Sequence, residues 1–156
     1  MFKVNIYIET DGNDKRNRYR TYMAIVEFIT PKGRNETRDV NGTEKTTGNG
    51  INLLALNAAL SILTKPCEAT VYMDCPYVTE NIRYKEIYKW YYNGWKTIQD
   101  KPIANHEEWE KVIRFMEKHK LAFAAVNTHS YKNRMQYDIK KLKGQGMEWQ
   151  QQEIGR

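Results

Sequence analysis

The chain has 156 residues, of which 40% are hydrophobic, and a formal net charge of +6. This length suffices for one well-buried core, and no apolar run approaches the roughly 20 residues that cross a bilayer. We therefore expect a single cytoplasmic domain without membrane attachment, whose excess of basic side chains favours a polyanionic partner. Cys67 and Cys75 lack metal-ligand spacing and are expected to be reduced thiols.

The first third of the chain predicts an antiparallel meander. Apolar and polar residues alternate over 3–10, which indicates a strand that ends at Asp11. Two further β-rich runs, over 19–30 and 34–40, are separated by a Pro-Lys-Gly turn.

A helix is predicted to begin within 47–60 and to end near Lys65-Pro66. Leu56 and Ala59 follow Asn52 at helical spacing, so the Asn52 amide lies at the head of a core-facing stripe. A buried amide needs a partner, either in its own first turn, in a neighbouring strand or in a functional site.

The remaining chain predicts two strands and three helical segments. A short strand over 69–73 ends at Asp74, and the strand-helix-strand order indicates a parallel crossover. The later elements are a helical segment from Cys75-Pro76 to Asn93-Gly94, a helix capped by Asn105 and Glu108 that reaches about Lys118, a strand over 121–126, and a helix from about Tyr131 to Leu142. Residues 143–156 are polar and are expected to be a flexible tail.

Several motifs occur in a characteristic order along the predicted elements. They are Thr10-Asp11-Gly12, Met73-Asp74 with Tyr77-Val78, Gly94-Trp95-Lys96-Thr97, Lys101-Pro102 with Asn105, and His129 nine residues before Asp138. Together they resemble type 1 ribonuclease H over residues 1–142. The resemblance implies an α/β fold with a five-stranded mixed sheet, three antiparallel strands then two parallel ones, and helices on both faces.

The resemblance also implies an endonuclease that cuts the RNA strand of RNA/DNA hybrids with two Mg²⁺ ions, for which Mn²⁺ is a possible substitute. Its four acidic ligands map onto Asp11, Asn52, Asp74 and Asp138, and Asn52 departs from the family's glutamate. His129 is similar to the family histidine that assists proton transfer and product release.

The neutral side chain of Asn52 leaves two functional readings open. The first is an active nuclease that is impaired by the loss of one anionic ligand. The second is a nucleic-acid-binding protein that keeps the fold without catalysis. Glu9 projects from the same side of the first strand as Asp11 and is a candidate substitute carboxylate.

Cationic and aromatic residues alternate along 83–101, as is typical of a nucleic-acid groove. In the resembled family this region grips the DNA strand. The candidate contacts to the hybrid are Lys89, Trp90, Lys96, Lys101 and Asn105, together with Thr47 and Asn49 near the start of the first helix. We expect a monomer, and no protein partner is predicted.

Overall fold

The computed structural model describes the backbone of residues 1–154 and the side-chain environments of residues 1–144. The strands are β1 (Phe2–Thr10), β2 (Arg18–Phe28), β3 (Glu36–Thr46), β4 (Cys67–Tyr72) and β5 (Lys120–Ala124). The helices are α1 (Gly48–Leu60), α2 (Pro76–Arg83), α3 (Glu86–Tyr92), α4 (His106–Lys118) and α5 (Lys132–Ile154). Within the described residues, no helix is both long enough and apolar enough to span a membrane.

The five strands form one mixed sheet in the order β3-β2-β1-β4-β5. The meander β1-β2-β3 is antiparallel, whereas β4 pairs in parallel with both β1 and β5. This arrangement confirms the predicted mixed sheet. The carboxyl ends of β1 and β4 therefore meet at one edge, where the residues that follow the two strands come together.

Helices cover both faces of the sheet, as predicted. On one face, α1 packs over β1, β2 and β3, and α2 and α4 pack against α1, with Ile6, Leu56 and Trp109 among the buried residues. On the other face, Met135 and Ile139 of α5 pack against Ile25 of β2 in a smaller cluster. Because Met135 and Ile139 lie one helical turn apart, they fix which side of α5 faces the sheet.

Some element boundaries differ from the sequence prediction. The chain turns at Ser61, so α1 ends before Lys65-Pro66. β3 continues to Thr46 because Gly42, which has no side chain, lets the strand pass the Tyr22 ring; a Cβ there would lie 2.7 Å from the ring. Lys85 has a left-handed backbone (φ 60°), which divides the predicted segment into α2 and α3.

Two predictions near the later helices are also wrong. Asn105 has a left-handed backbone and makes no side-chain cap bond, while Glu108 bonds to Asn57 instead of closing a capping box. The last helix continues past Leu142 to Ile154, so its predicted end is wrong. The proposed boundary between residues 1–142 and 143–156 stays a prediction, and the last two residues of that tail lie outside the described residues.

The loop between β1 and β2 is held by a fully buried arginine. The Arg20 guanidinium donates to the carbonyl oxygens of Gly12, Asp14 and Arg16 at 2.7 to 2.9 Å, and to the Asp14 carboxylate at 2.8 Å. Gly48 at the start of α1 packs directly on this loop, since a Cβ there would lie 2.3 Å from the Asn13 backbone. The loop and α1 are thereby fixed beside the carboxyl end of β1.

Candidate active site

A pocket of about 190 Å³ opens where β1 and β4 end, between α1 and the start of α5. Its polar wall is formed by Glu9, Asn13, Asn52, Asp74, Lys132 and Gln136. Two of these side chains are carboxylates, three are amides and one is an ammonium. The pocket thus combines few negative charges with many hydrogen-bonding groups.

Glu9 projects from β1 into this pocket with both carboxylate oxygens engaged. His129 Nε2 lies 2.8 Å from Glu9 Oε2, and Gln136 Nε2 donates to Glu9 Oε1 at 2.7 Å. Lys132 Nζ lies 3.7 Å from Oε1. Because three groups of the His129 loop and α5 converge on it, Glu9 joins this region to β1.

The hydrogen bonds of His129 define where its ring carries the proton. The backbone N–H of Tyr131 donates to His129 Nδ1 at 3.2 Å, so that nitrogen acts as an acceptor. Nε2 therefore carries the hydrogen and donates to Glu9. The His129 side chain is only 3% exposed, so the structure gives it a fixed contact with Glu9 instead of an open position at the pocket mouth.

Behind His129, a buried carboxylate anchors the start of α5. Glu27 accepts hydrogen bonds from Tyr131 at 2.6 Å, Asn5 at 3.0 Å and Tyr7 at 3.3 Å. Burial acts to raise the pKa of Glu27, but these hydrogen bonds outweigh it and the pKa is lowered. Burial, together with the adjacent Glu27 charge, raises the pKa of Tyr7 to about 12, so Tyr7 stays a donor at neutral pH.

Asn52 is buried at the head of α1, as its position on the apolar stripe predicts. Its amide nitrogen donates to Gly48 O at 2.8 Å and to Asn13 Oδ1 at 2.9 Å, which ties α1 to the β1-β2 loop. Asn13 Nδ2 in turn donates to the backbone oxygen of Asp74 at 2.6 Å. The group that Asn52 can offer a ligand is consequently its carbonyl oxygen.

The structure brings Asp74 and Asn52 to the pocket but places Asp11 and Asp138 elsewhere. The Asp11 side chain is 3% exposed and pairs with Arg18 and Lys143, each at 3.2 Å. Asp138 lies 3.8 Å from Arg134 along the outer part of α5. Neither carboxylate lines the pocket, whereas Glu9 and Gln136 do, and the ligand roles of Asp11 and Asp138 stay predictions.

The periodicity of β1 and α5 explains why Glu9 and Gln136 line the pocket while Asp11 and Asp138 do not. Glu9 and Asp11 share one side of β1, so a two-residue difference keeps the orientation and moves the carboxylate along the strand. On α5, Met135 and Ile139 face the sheet, which directs Gln136 towards the pocket and Asp138 away from it. The alternation of residues along β1 predicts that Glu9 points to the same side as Asp11. Gln136 is uncharged, so nothing in the sequence singled it out as a site residue.

The donor set does not match a site for two Mg²⁺ ions. Such a site takes oxygen ligands, mainly carboxylates, and both Glu9 oxygens already accept hydrogen bonds beside the Lys132 ammonium. Among the side chains that the structure describes, no group of three or more His, Cys, Asp or Glu residues could hold a metal ion. Asp74 is the exposed carboxylate of the pocket.

The predicted nucleic-acid residues divide between a groove and structural positions. Lys89, Trp90 and Lys96 line a groove of about 580 Å³ along α3 and the loop after it. Lys89 pairs with Glu86 at 2.9 Å, and Lys96 with Asp100 at 3.5 Å. Trp90 is partly buried against Trp109, at 5.9 Å between ring centroids.

The other four predicted contacts are not among the residues that line that groove. The Thr47 hydroxyl caps α1 by accepting from Gly50 N at 3.2 Å, and the Asn105 amide lies 3.5 Å from the Tyr77 hydroxyl. Asn49 lies near Cys75 at the start of α1, and Lys101 is exposed on the loop before α4. Their roles towards nucleic acid stay predictions.

Comparison with known proteins identifies the family. The family described as RNase H matches residues 3–138. Ribonuclease H of Clostridium botulinum is 34% identical over 137 residues, which cover 86% of this chain and 91% of that protein. Ribonuclease H of Acetivibrio thermocellus is 36% identical over 138 residues, which cover 86% and 90%.

Solved structures agree at the level of the fold. LC9-RNase H1, a type 1 RNase H with the type 2 active-site motif, has a TM-score of 0.70 at 20% identity. The match covers 90% of this chain and 70% of that one. The foamy viral protease-reverse transcriptase in complex with an RNA/DNA hybrid has a TM-score of 0.59 at 12% identity, covering 85% of this chain and 18% of that one. The sheet order, the family match and the relatives lead to one conclusion: the chain belongs to the ribonuclease H family of endoribonucleases.

Proposed function

We propose that this protein binds RNA/DNA hybrids across the mouth of the Glu9 pocket and hydrolyses the RNA strand there. The observation that carries the proposal is the meeting of Glu9 and Asp74 at the carboxyl ends of two adjacent parallel strands in a ribonuclease H fold. In open α/β sheets, ligands bind outside the carboxyl ends of the strands. The solved relative with a bound RNA/DNA hybrid supports the substrate class.

The chemistry assigned to the pocket follows from which groups are free. Glu9 is engaged by His129 and Gln136, whereas Asp74 is exposed and can accept a proton from an attacking water. Lys132 can donate to a phosphate oxygen. The Lys89, Trp90 and Lys96 groove supplies cations and a ring for a second strand of the duplex.

The resemblance implies a two-ion magnesium mechanism at a site with four acidic ligands. The pocket of this protein has two carboxylates, Glu9 and Asp74. We propose that Mg²⁺ or Mn²⁺ assists this protein less than it would assist a four-carboxylate site, and that hydrolysis is correspondingly slow. A divalent ion, when bound, supplies charge stabilisation at the phosphate.

A second candidate function is hybrid binding without cleavage. It is favoured by the Lys132 ammonium, which can bind a phosphodiester without activating water, and by the neutral amides Asn52 and Gln136 in place of carboxylates.

Cleavage of an RNA-labelled hybrid, with Mg²⁺ or Mn²⁺ present, tests both functions. The expected result is slow cleavage that Asp74→Asn abolishes, while the carboxylate-to-amide change Glu117→Gln on the exposed side of α4 leaves it intact. Cleavage that persists in Asp74→Asn would reject this reaction centre. No cleavage by the unmodified chain, with hybrid binding retained, would establish the second function.

A further inference from the structure

We propose that Lys132 is the resident cation of the pocket and that it binds the hybrid's phosphate without a divalent ion. The inference rests on the proposed binding of hybrid at this pocket, but it does not depend on cleavage. It assigns a residue outside the resembled family motif to substrate recognition and names its ligand as a phosphodiester group.

The charge of the pocket is the first support. A site with four carboxylates carries four negative charges and repels a phosphodiester until cations neutralise it. Here the carboxylates of Glu9 and Asp74 and the ammonium of Lys132 leave one net negative charge, since His129 is a neutral donor and Asn52 and Gln136 are amides. This pocket therefore repels a phosphodiester less than a four-carboxylate site does, and less cationic charge from a metal ion is needed before the phosphodiester can bind.

The position of Lys132 is the second support. Its Nζ lies 3.7 Å from Glu9 Oε1 and also donates to the Asn127 backbone oxygen, so two anchors hold the ammonium at the pocket wall. Its side chain is still 34% exposed, so a ligand can approach it from solvent. An ammonium has three donors, of which the Asn127 oxygen takes one, and a phosphate oxygen can accept from another.

The neighbouring amides are neutral and are held in place by bonds within the protein. Gln136 is held by Glu9 and by Thr10 O, at 2.7 and 3.1 Å, and Asn52 is held by Gly48 and Asn13. Both amide nitrogens thus donate within the protein, and the amides add no charge to the pocket. Among the described side chains that line the pocket, Lys132 is therefore the cation that can attract and donate to a phosphate.

Fluorescence anisotropy with a labelled RNA/DNA hybrid tests this inference at constant ionic strength, with EDTA in one series and Mg²⁺ in the other. We expect the unmodified chain to bind with equal affinity in both, within about twofold. Lys132→Met should weaken binding about tenfold in EDTA, and Lys132→Arg should retain most of it. Lys32→Met, an equal charge change in the exposed turn between β2 and β3 at the opposite edge of the sheet, is the control and should cost at most about twofold.

The outcomes separate this inference from the proposed function. Binding that appears only with Mg²⁺, or equal losses in Lys132→Met and Lys32→Met, would overturn the role of Lys132 and leave hybrid binding standing. Absence of binding in both buffers would reject the inference together with the proposed function. Loss of cleavage alone bears only on the proposed function, because the anisotropy readout does not require turnover.

Discussion

The bond from Gln136 Nε2 to Glu9 Oε1, at 2.7 Å, joins α5 to the carboxyl end of β1 inside the pocket. An amide donates to a carboxylate directly, whereas two carboxylates in these positions would repel each other unless a cation lay between them. The Glu9 and Gln136 pair is therefore stable as it stands, and this property gives the first prediction.

Gln136→Asp combined with Asn52→Glu should make the folding stability of the protein depend on divalent ions. The stability of the unmodified chain should not depend on them. The double variant adds two negative charges to the pocket and removes the amide donors to Glu9, Thr10 and Gly48. We expect destabilisation of about 1–3 kcal/mol for each lost set of bonds in EDTA. Mg²⁺ should then raise the melting temperature of the variant but not of the parent.

The control for this experiment is Gln99→Glu, which adds negative charge on the exposed loop near α3. It should melt like the parent in both buffers. A Mg²⁺-dependent rise in the parent's melting temperature, equal to that of the double variant, would contradict the interpretation of the donor set.

Glu9→Gln should destabilise the protein as well as the reaction centre. The carboxylate accepts from His129 and Gln136 at once, and a glutamine has one acceptor oxygen for both donors. We expect a loss of about 1–3 kcal/mol in the free energy of unfolding, measured by urea denaturation. Glu68→Gln, on the exposed side of β4, should change it by less than about 0.5 kcal/mol, and equal effects would contradict the role given to Glu9.

The sequence predicted the architecture better than the site. Long periodic patterns identify strands and helices because the core requires them, and the motifs that indicate the family identify the sheet order. The Thr10-Asp11-Gly12 motif marks Asp11, which pairs with Arg18 and Lys143, and its role stays a prediction. The carboxylate of β1 that lines the pocket is Glu9.

The polar residues of the pocket were harder to find for a different reason. Gln136 and Lys132 do not interrupt the apolar stripe of α5, so on local pattern both resemble ordinary solvated positions. Their role becomes clear only from the packing of Met135 and Ile139 against the sheet, which sets the orientation of α5 about its axis. A contact between residues so far apart in the chain has no local signature.

Arg20→Met should be among the most destabilising single changes. The Arg20 side chain is fully buried and binds the Gly12, Asp14 and Arg16 carbonyls, which a methionine of similar length cannot replace. We expect a loss of about 3–5 kcal/mol in the free energy of unfolding. Arg16→Met, at an arginine whose side chain is 81% exposed, is the matched control and should lose less than about 1 kcal/mol. Similar losses in the two variants would contradict the anchoring role of Arg20.

The buried His119 should make stability fall as the solution is acidified. Burial lowers the pKa of His119, with a further contribution from the adjacent Lys118 charge. Its Nδ1 accepts from the Cys67 backbone N–H at 3.1 Å, a bond that protonation would break. Between the lowered folded pKa and the unfolded value of 6.5, the unfolded chain binds more protons, so folding stability is fully present above 6.5 and is lost as the pH falls through the folded pKa.

The measurement for His119 is the free energy of unfolding from denaturant titrations at a series of pH values below about 6.5. His119→Asn keeps an oxygen acceptor near the position of Nδ1 but cannot titrate, so its stability should vary less over that range. Other groups contribute the same background to both proteins, and the difference between the two curves isolates His119. If the two curves fall in parallel, protonation of His119 is not coupled to unfolding; if they diverge towards low pH, the buried Cys67 bond is the coupling.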